Sequence, residues 1–141
     1  MRGGQKVLFL CTGNSCRSQM GEGWLRHLAG DRFEVFSAGL NPTKVNPLAI
    51  RVMGEAGVDI SKHSSKSIDN FIGENFAYVI TVCDNAKGSC PHFMGERTRI
   101  HWDIDDPADA EGSEDEKLIF FRKTRDILKE QIEGFIAAAR D

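Results

Sequence analysis

Short apolar runs alternate along the chain with longer segments in which apolar residues recur every three or four positions. The runs typical of buried strands are KVLFLC, FEVFSAG, FAYVITVC and RTRIHWDI. Helical periodicity follows Ser18, Asn46 and Ser113, and Asn46 with Pro47 behind it is a favourable helix start. Strands separated by helices favour parallel pairing, because each connection crosses a face of the sheet. The pattern predicts a three-layer α/β fold, with a four-stranded parallel sheet and helices on both faces.

The predicted strands end on residues that can carry chemistry. The first run ends on Cys11 and the third on Cys83, while the fourth leads into the acidic segment DIDDPADAEGS. In open parallel sheets, ligands bind at the carboxyl ends of the strands. We therefore expect these features to face one crevice, although they are far apart in sequence.

Composition and charge narrow the function classes. The 141 residues are 40% hydrophobic and 28% charged, which suits one globular domain spanning residues 1–141. A formal net charge of −3 argues against broad binding to nucleic acid or to a membrane surface. No apolar run approaches the ~18 residues of a spanning helix, and MRGGQK does not resemble a signal peptide, so a cytoplasmic location is expected. Four cysteines in such a chain indicate chemistry or metal binding more than a disulfide framework.

The segment from Cys11 to Ser18 has the composition of an anion-binding loop. A loop between a strand and a helix would direct backbone N–H groups and the positive helix end at a tetrahedral dianion. Arg17 adds a permanent charge and two parallel donors, and the same positive field favours the thiolate form of Cys11. A lone cysteine at a strand end is more often a buried apolar residue, but the Cys-x5-Arg spacing favours a nucleophile. The predicted oxyanion-binding residues are Thr12, Gly13, Asn14, Ser15, Cys16, Arg17 and Ser18.

Cys16 lies inside this loop, where it could be taken for a disulfide partner of Cys11. A bridge between the two would destroy the cup, because the loop backbone has to surround the anion. We therefore interpret Cys16 as a structural thiol.

The octapeptide CTGNSCRS resembles the oxyanion loop of the low-molecular-weight protein tyrosine phosphatases and of the arsenate reductases built on the same fold. The similarity includes SAG at 37–39 and VNP at 45–47, and HWDIDDPADA resembles the segment that carries the general acid of these enzymes. The resemblance implies the strand order 2-1-3-4 and makes Asp106, which precedes Pro107, the acid. The neighbouring Asp105 is the alternative acid.

Three features of the sequence separate the phosphatases from the reductases. The segment VITVCDNAKGSCP contains Cys83 and Cys90 and resembles the redox segment of the thioredoxin-coupled arsenate reductases. The phosphatases typically have a tyrosine after Asp-Pro, where this chain has Ala108. They also commonly have a proline at the position of Gln19. The resemblance therefore implies an arsenate reductase, with a phosphatase of phosphotyrosine or a small phosphoester as the alternative.

The mechanism that this resemblance implies is a relay of three thiols. Cys11 attacks arsenate while Asp106 protonates the leaving hydroxide. Cys83 then attacks Cys11 and releases arsenite, and Cys90 attacks Cys83 to leave a Cys83–Cys90 disulfide. Thioredoxin is the expected reductant. No metal or organic cofactor is expected, phosphate and sulfate are expected to bind as analogues of arsenate, and the protein is expected to be a monomer.

Weaker signals concern the support of the loop. Asn14 and Ser37 resemble residues that hold the loop in shape, and with Glu22 they resemble part of a potassium site in some of these reductases. The reductase that binds this ion has an aspartate at the position of Lys66, whose ammonium could replace the cation, so no potassium dependence is expected. The alternative for Glu22 is a solvated helix carboxylate.

A zinc-binding module is a non-enzymatic alternative. It would combine Cys83, Cys90 and His92 with Cys11 or Cys16. The spacing lacks the Cys-x2-Cys knuckle of many structural zinc sites, which argues against this interpretation. Metal analysis of the purified protein distinguishes it from the enzymes.

Overall fold

Four parallel strands form one sheet in the computed structural model, which describes residues 4–82, 93 and 95–139. The strands are β1 (Gln5–Cys11), β2 (Phe33–Gly39), β3 (Tyr78–Thr81) and β4 (Thr98–His101). Their order is β2-β1-β3-β4, which confirms the predicted fold class and strand order. Cys83, Cys90 and His92 lie outside the described residues.

The helices begin at the sequence signals that predict them. Asn46 accepts a hydrogen bond from the backbone N–H of Leu48 at 2.8 Å, and Ser113 forms a capping box with Glu116. The α-helices are α1 (Arg17–Ala29), α2 (Pro47–Glu55) and α3 (Glu114–Ala138). Two short 3-10 helices cover Ile68–Phe71 and Pro107–Asp109.

One face of the sheet packs against α1 and α3. A Cβ atom at Gly21 of α1 would lie 2.8 Å from the Phe9 ring of β1, so this glycine lets helix and strand approach closely. Phe135 of α3 meets the rings of Phe33 and Tyr78, with centroids 5.4 and 5.0 Å away. These aromatic contacts fix α3 across three neighbouring strands, since β1 lies between β2 and β3.

The opposite face carries an aromatic cluster. Phe36 points to this side because side chains alternate along β2. Its ring lies 5.8 Å from Phe71, in the first 3-10 helix, and 5.6 Å from Phe76. Phe93 extends the cluster, with its ring centroid 5.1 Å from that of Phe76. A 3-10 helix and aromatic side chains thus cover this face in the described part of the chain.

The carboxyl ends of the strands lie along one edge, where the sequence predicts the site. β1 ends at Cys11 and β2 at Gly39, while Val82 follows β3. The segment after β4 leads through Ile104 to Asp106. Among the residues described, no helix has the length and apolar character needed to cross a membrane.

Candidate active site

A small cavity opens where β1 meets α1. Its volume is about 260 Å³, and it brings the predicted nucleophile, arginine and acid together. The residues that line it are Cys11, Thr12, Gly13, Ser15, Cys16, Arg17, Thr43, Asp106 and Ala108. Asn14 and Ser18, which are also predicted to bind the anion, are completely buried and are not among the lining residues. Thr43 comes from the loop after β2 and carries no local sequence signal.

Hydrogen bonds turn the carbonyl groups of the loop outwards. Backbone N–H groups of the segment 40–46 donate to the carbonyls of Cys11, Thr12, Gly13 and Ser15 at 2.8–3.2 Å. In a trans peptide, the N–H of the following residue points opposite to the carbonyl. The N–H groups that follow these carbonyls therefore point away from segment 40–46. Outward carbonyls and inward N–H groups suit a bound oxyanion.

Asn14 holds the loop in this shape. Its φ of 49° is the left-handed conformation, which asparagine adopts more readily than most side chains. Its Oδ1 accepts hydrogen bonds from the backbone N–H of Lys66 at 2.8 Å and from Gln19 Nε2 at 2.9 Å. Its Nδ2 donates to Ser18 Oγ at 2.8 Å. Asn14 therefore supports the cup from behind, and Gln19 gains a role that sequence reasoning missed.

Cys11 forms the end of β1 and is 3% exposed. Its Sγ lies 2.8 Å from Ser18 Oγ. Ser18 Oγ already accepts a hydrogen bond from Asn14, so its own proton is available to the sulfur. The Ser18 hydroxyl can therefore donate to the sulfur that the sequence predicts to be the nucleophile.

Cys16 caps α1 without forming a side-chain cap hydrogen bond. The N–H groups of the first turn are thus not taken up by a capping side chain, as suits an anion site. Burial and the nearby Asp106 raise the pKa of the Cys16 thiol to about 12. Cys16 therefore stays protonated at neutral pH, which agrees with its interpretation as a structural thiol.

Arg17 connects the cup to the far side of the cavity. Its Nη1 donates to the carbonyls of Val82 at 3.2 Å and Ile104 at 2.9 Å. Its Nη2 lies 3.4 Å from Asp106 Oδ2. The guanidinium is thus fixed by the segments that follow β3 and β4, and the buried side chain cannot swing away freely.

Asp106, and not Asp105, lines the cavity. Its Oδ1 accepts a hydrogen bond from the backbone N–H of Ala108 at 3.0 Å, which orients the carboxyl group at the start of the second 3-10 helix. Ala108 lines the same cavity and adds only a methyl group to its wall. The site therefore offers a carboxyl group but no aromatic side chain from this loop.

A second cluster of charges lies beneath the cup. Glu22 is buried, and it accepts hydrogen bonds from Ser37 Oγ and, at 2.5 Å, from Arg26 Nη2. Lys66 Nζ donates instead to the carbonyl of Ser64 at 2.7 Å. Arg26, which the sequence did not single out, makes an ion pair with Glu22, and His63 Nδ1 lies 3.9 Å from Glu22 Oε1. Burial lowers the pKa of Lys66, although Glu22 acts against this effect.

Within residues 4–82, 93 and 95–139, no three His, Cys, Asp or Glu side chains are grouped as metal ligands would be. The zinc alternative depends on three residues outside these ranges, so the structure does not test it. What the described site offers is a cysteine, an arginine, a carboxyl group and a ring of backbone donors. This set of groups suits the binding of a tetrahedral oxyanion above a cysteine.

Comparison with known proteins identifies the family. Residues 6–141 match the family model described as low molecular weight phosphotyrosine protein phosphatase, and the chain belongs to this family, as predicted. An arsenate reductase of Bacillus licheniformis is 49% identical over 129 residues, which are 92% of this chain and 93% of that protein.

Solved structures agree with this assignment. An arsenate reductase in a phosphate-binding state superposes with a TM-score of 0.82 at 36% identity, covering 94% of this chain and 97% of that one. A thioredoxin-dependent arsenate reductase of Corynebacterium glutamicum gives a TM-score of 0.75 at 28% identity, covering 96% of this chain and 61% of that one.

Proposed function

We propose that the protein reduces arsenate to arsenite and is regenerated by thioredoxin. The observation that carries the proposal is the convergence of Cys11, Arg17 and Asp106 on one cavity, in a chain that also contains the pair Cys83 and Cys90. The similarity to arsenate reductases, one of them thioredoxin-dependent, supports the same activity.

The first step of the proposed reaction uses the described site. Arsenate binds to the N–H groups of the loop and to Arg17, above Cys11. The Cys11 thiolate forms a bond to arsenic, and an arsenic–oxygen bond breaks while Asp106 protonates the departing oxygen. Positioned donors and a fixed guanidinium stabilise the charge that develops on the remaining oxygens.

The electron transfer occurs in a second step. Cys83 attacks the sulfur of Cys11, and the sulfur–arsenic bond breaks with its electron pair left on arsenic. Arsenic is thereby reduced from the pentavalent to the trivalent state, and the two thiols are oxidised to a disulfide. Cys90 then attacks Cys83 and frees Cys11, and the dithiol of thioredoxin reduces the resulting Cys83–Cys90 disulfide.

The phosphatase alternative shares the first step and differs in the fate of the adduct on Cys11. A phosphatase needs water to hydrolyse this adduct, and it has no use for a second and third thiol. Ala108 gives the cavity no aromatic wall against which a phosphotyrosine ring could stack. These features favour the reductase.

The test is arsenate-dependent oxidation of NADPH in the presence of thioredoxin and thioredoxin reductase. We expect sustained turnover by the wild-type protein and none by Cys11→Ser, whose hydroxyl is not ionised near neutral pH. Cys90→Ser should release one equivalent of arsenite and then stop with a Cys11–Cys83 disulfide, which mass spectrometry locates after trapping. Sustained turnover by Cys90→Ser would contradict the relay. Hydrolysis of p-nitrophenyl phosphate without arsenate-dependent turnover would favour the phosphatase.

A further inference from the structure

An uninterrupted series of side-chain hydrogen bonds runs from the outer end of α1 to the sulfur of Cys11. The five donor–acceptor distances are 3.2, 2.9, 2.9, 2.8 and 2.8 Å. We call this series the donor chain; its members, in order, are Arg26, His63, Gln19, Asn14, Ser18 and Cys11. The proposed function does not require Arg26, His63 or Gln19, so these residues need an explanation of their own.

Backbone groups fix the direction of the donor chain. The carbonyl of Ser64, which can only accept, lies 2.9 Å from the Gln19 side chain, so the Gln19 atom that faces it is the amide nitrogen, Nε2. Its other proton goes to Asn14, where Oδ1 lies at 2.9 Å and the backbone carbonyl at 3.1 Å, and Gln19 Oε1 must then be the atom that faces His63. In the same way, the backbone N–H of Lys66 can only donate, so Asn14 turns its oxygen to Lys66 and its nitrogen to Ser18.

The same logic fixes the protonation of His63. Gln19 Oε1 accepts, so His63 Nδ1, at 2.9 Å, carries a proton. Arg26 can only donate, so His63 Nε2, at 3.2 Å, is the bare acceptor. Burial, helped by Arg26 and Lys66, lowers the pKa of His63 and outweighs the opposing effects of Glu22 and Asp59. His63 is therefore a neutral imidazole held in one tautomer by a partner at each nitrogen.

Every member between the two ends accepts at one side and donates at the other. The donated protons all point towards Cys11, so each bond polarises the next in the direction that favours negative charge on the sulfur. Gln19 holds the Asn14 side chain directly, beside the backbone N–H of Lys66, and the imidazole of His63 holds Gln19 in turn.

We propose that Gln19 and His63 are positioning residues for the nucleophile: they keep the Asn14–Ser18 pair oriented so that Ser18 donates to Cys11. The proposal rests on the proposed role of Cys11 as the nucleophile. His63 acts here as a neutral donor in a fixed tautomer, and it contacts neither the oxyanion nor the sulfur.

The test measures how fast iodoacetamide alkylates Cys11 as a function of pH. Tandem mass spectrometry of the peptide from Val7 to Arg17 separates modification of Cys11 from modification of Cys16. His63→Leu removes the donor to Gln19, whereas His63→Asn keeps an N–H near the position of Nδ1 and serves as the matched control. We expect His63→Leu to raise the pH midpoint of alkylation and to slow the reaction at pH 6.5 by about 3–10-fold, the effect of about one hydrogen bond.

His63→Asn should stay within about twofold of the wild-type rate, since one hydrogen bond to Gln19 is kept. Equal slowing in both variants would overturn the proposal, because packing and not donation would then be responsible. An unchanged midpoint in a folded His63→Leu variant would overturn it as well. Absence of low-pH alkylation of Cys11 in the wild type would instead count against Cys11 as nucleophile, and so against the proposed function.

A measurement on the unmodified sequence keeps the proposal testable if His63→Leu does not fold. Long-range proton–nitrogen spectra of the His63 ring report its tautomer directly. We expect a neutral ring with the proton on Nδ1 at pH 7. A proton on Nε2, or on both nitrogens, would break the donor chain at its second member and refute the proposal.

Discussion

Replacing Gly39 by alanine should displace the anion loop. Gly39 ends β2 against the back of this loop, and a Cβ atom there would lie 2.7 Å from both the backbone nitrogen of Asn14 and the carbonyl oxygen of Thr12. Ordinary van der Waals contact begins at 3.4 Å, so the loop has to retreat by about 0.7 Å. Both obstructing atoms are backbone, which cannot rotate aside as a side chain can.

The size of this displacement determines how much stability and how much phosphate affinity the variant should lose. Overpacking of this kind costs about 1–3 kcal/mol of unfolding free energy, which corresponds to a loss of roughly 3–10 °C in Tm for a chain of 141 residues. A displacement approaching 1 Å costs up to about 10²-fold in function, so we expect inorganic phosphate to bind at least about tenfold more weakly.

Calorimetry measures Tm, and isothermal titration measures phosphate affinity. Gly134→Ala is the matched control: Gly134 is exposed in α3 with nothing within 4 Å of the added Cβ, so the change should stabilise the protein by about 0.5–1 kcal/mol and leave phosphate binding alone. If Gly39→Ala kept the wild-type Tm and phosphate affinity, the close approach of β2 to the loop would not be the feature that shapes the cup.

Two further predictions concern acid groups. Asp106→Asn should lower arsenate-dependent turnover by roughly 10²–10⁴-fold through loss of general acid catalysis, while phosphate still binds. Asp105 lies outside the cavity, so Asp105→Asn should be close to wild type. The reverse pattern would identify Asp105 as the acid. Hydrogen bonding from Arg122 lowers the pKa of Glu55 from 4.5 to about 2. Because the pKa of Glu55 is lower in the folded state than in the unfolded chain, the charged carboxylate stabilises the fold above pH 4.5. This stabilisation is lost as the pH falls towards 2. Denaturant midpoints of wild type and Glu55→Gln should therefore differ at pH 7 and converge near pH 2, and a gap that does not depend on pH would contradict this assignment.

The elements that could be predicted from the sequence are those whose signals are local. Apolar runs mark the buried strands, and Asn46 and Ser113 start helices through contacts only two or three residues long. The cup is also local, because Cys11 and Arg17 are joined by one short loop. Asp106 required the resemblance to a known family, since no local feature distinguishes it from Asp105.

The support beneath the cup could not be predicted in this way. His63 lies 44 positions from Gln19 in the chain, and their contact exists only because the fold brings the segment before the first 3-10 helix against α1. From the sequence, Arg26 would be taken for an ordinary cation on the surface of a helix, yet it makes an ion pair with buried Glu22. Neither residue has a spacing motif, so only three-dimensional packing identifies them.

The demands on Asn14 restrict which amino acid can stand at its position. Glycine would accept the left-handed backbone but would leave Ser18 and Lys66 without their amide partner. Aspartate could accept from Lys66 but, when ionised, has no proton to donate to Ser18. Asparagine meets the backbone requirement and both polar requirements together. In a chain of unknown structure, the asparagine is therefore a more specific sequence marker of this cup than the glycine beside it. It lies three residues after the cysteine that ends the strand and three before the arginine.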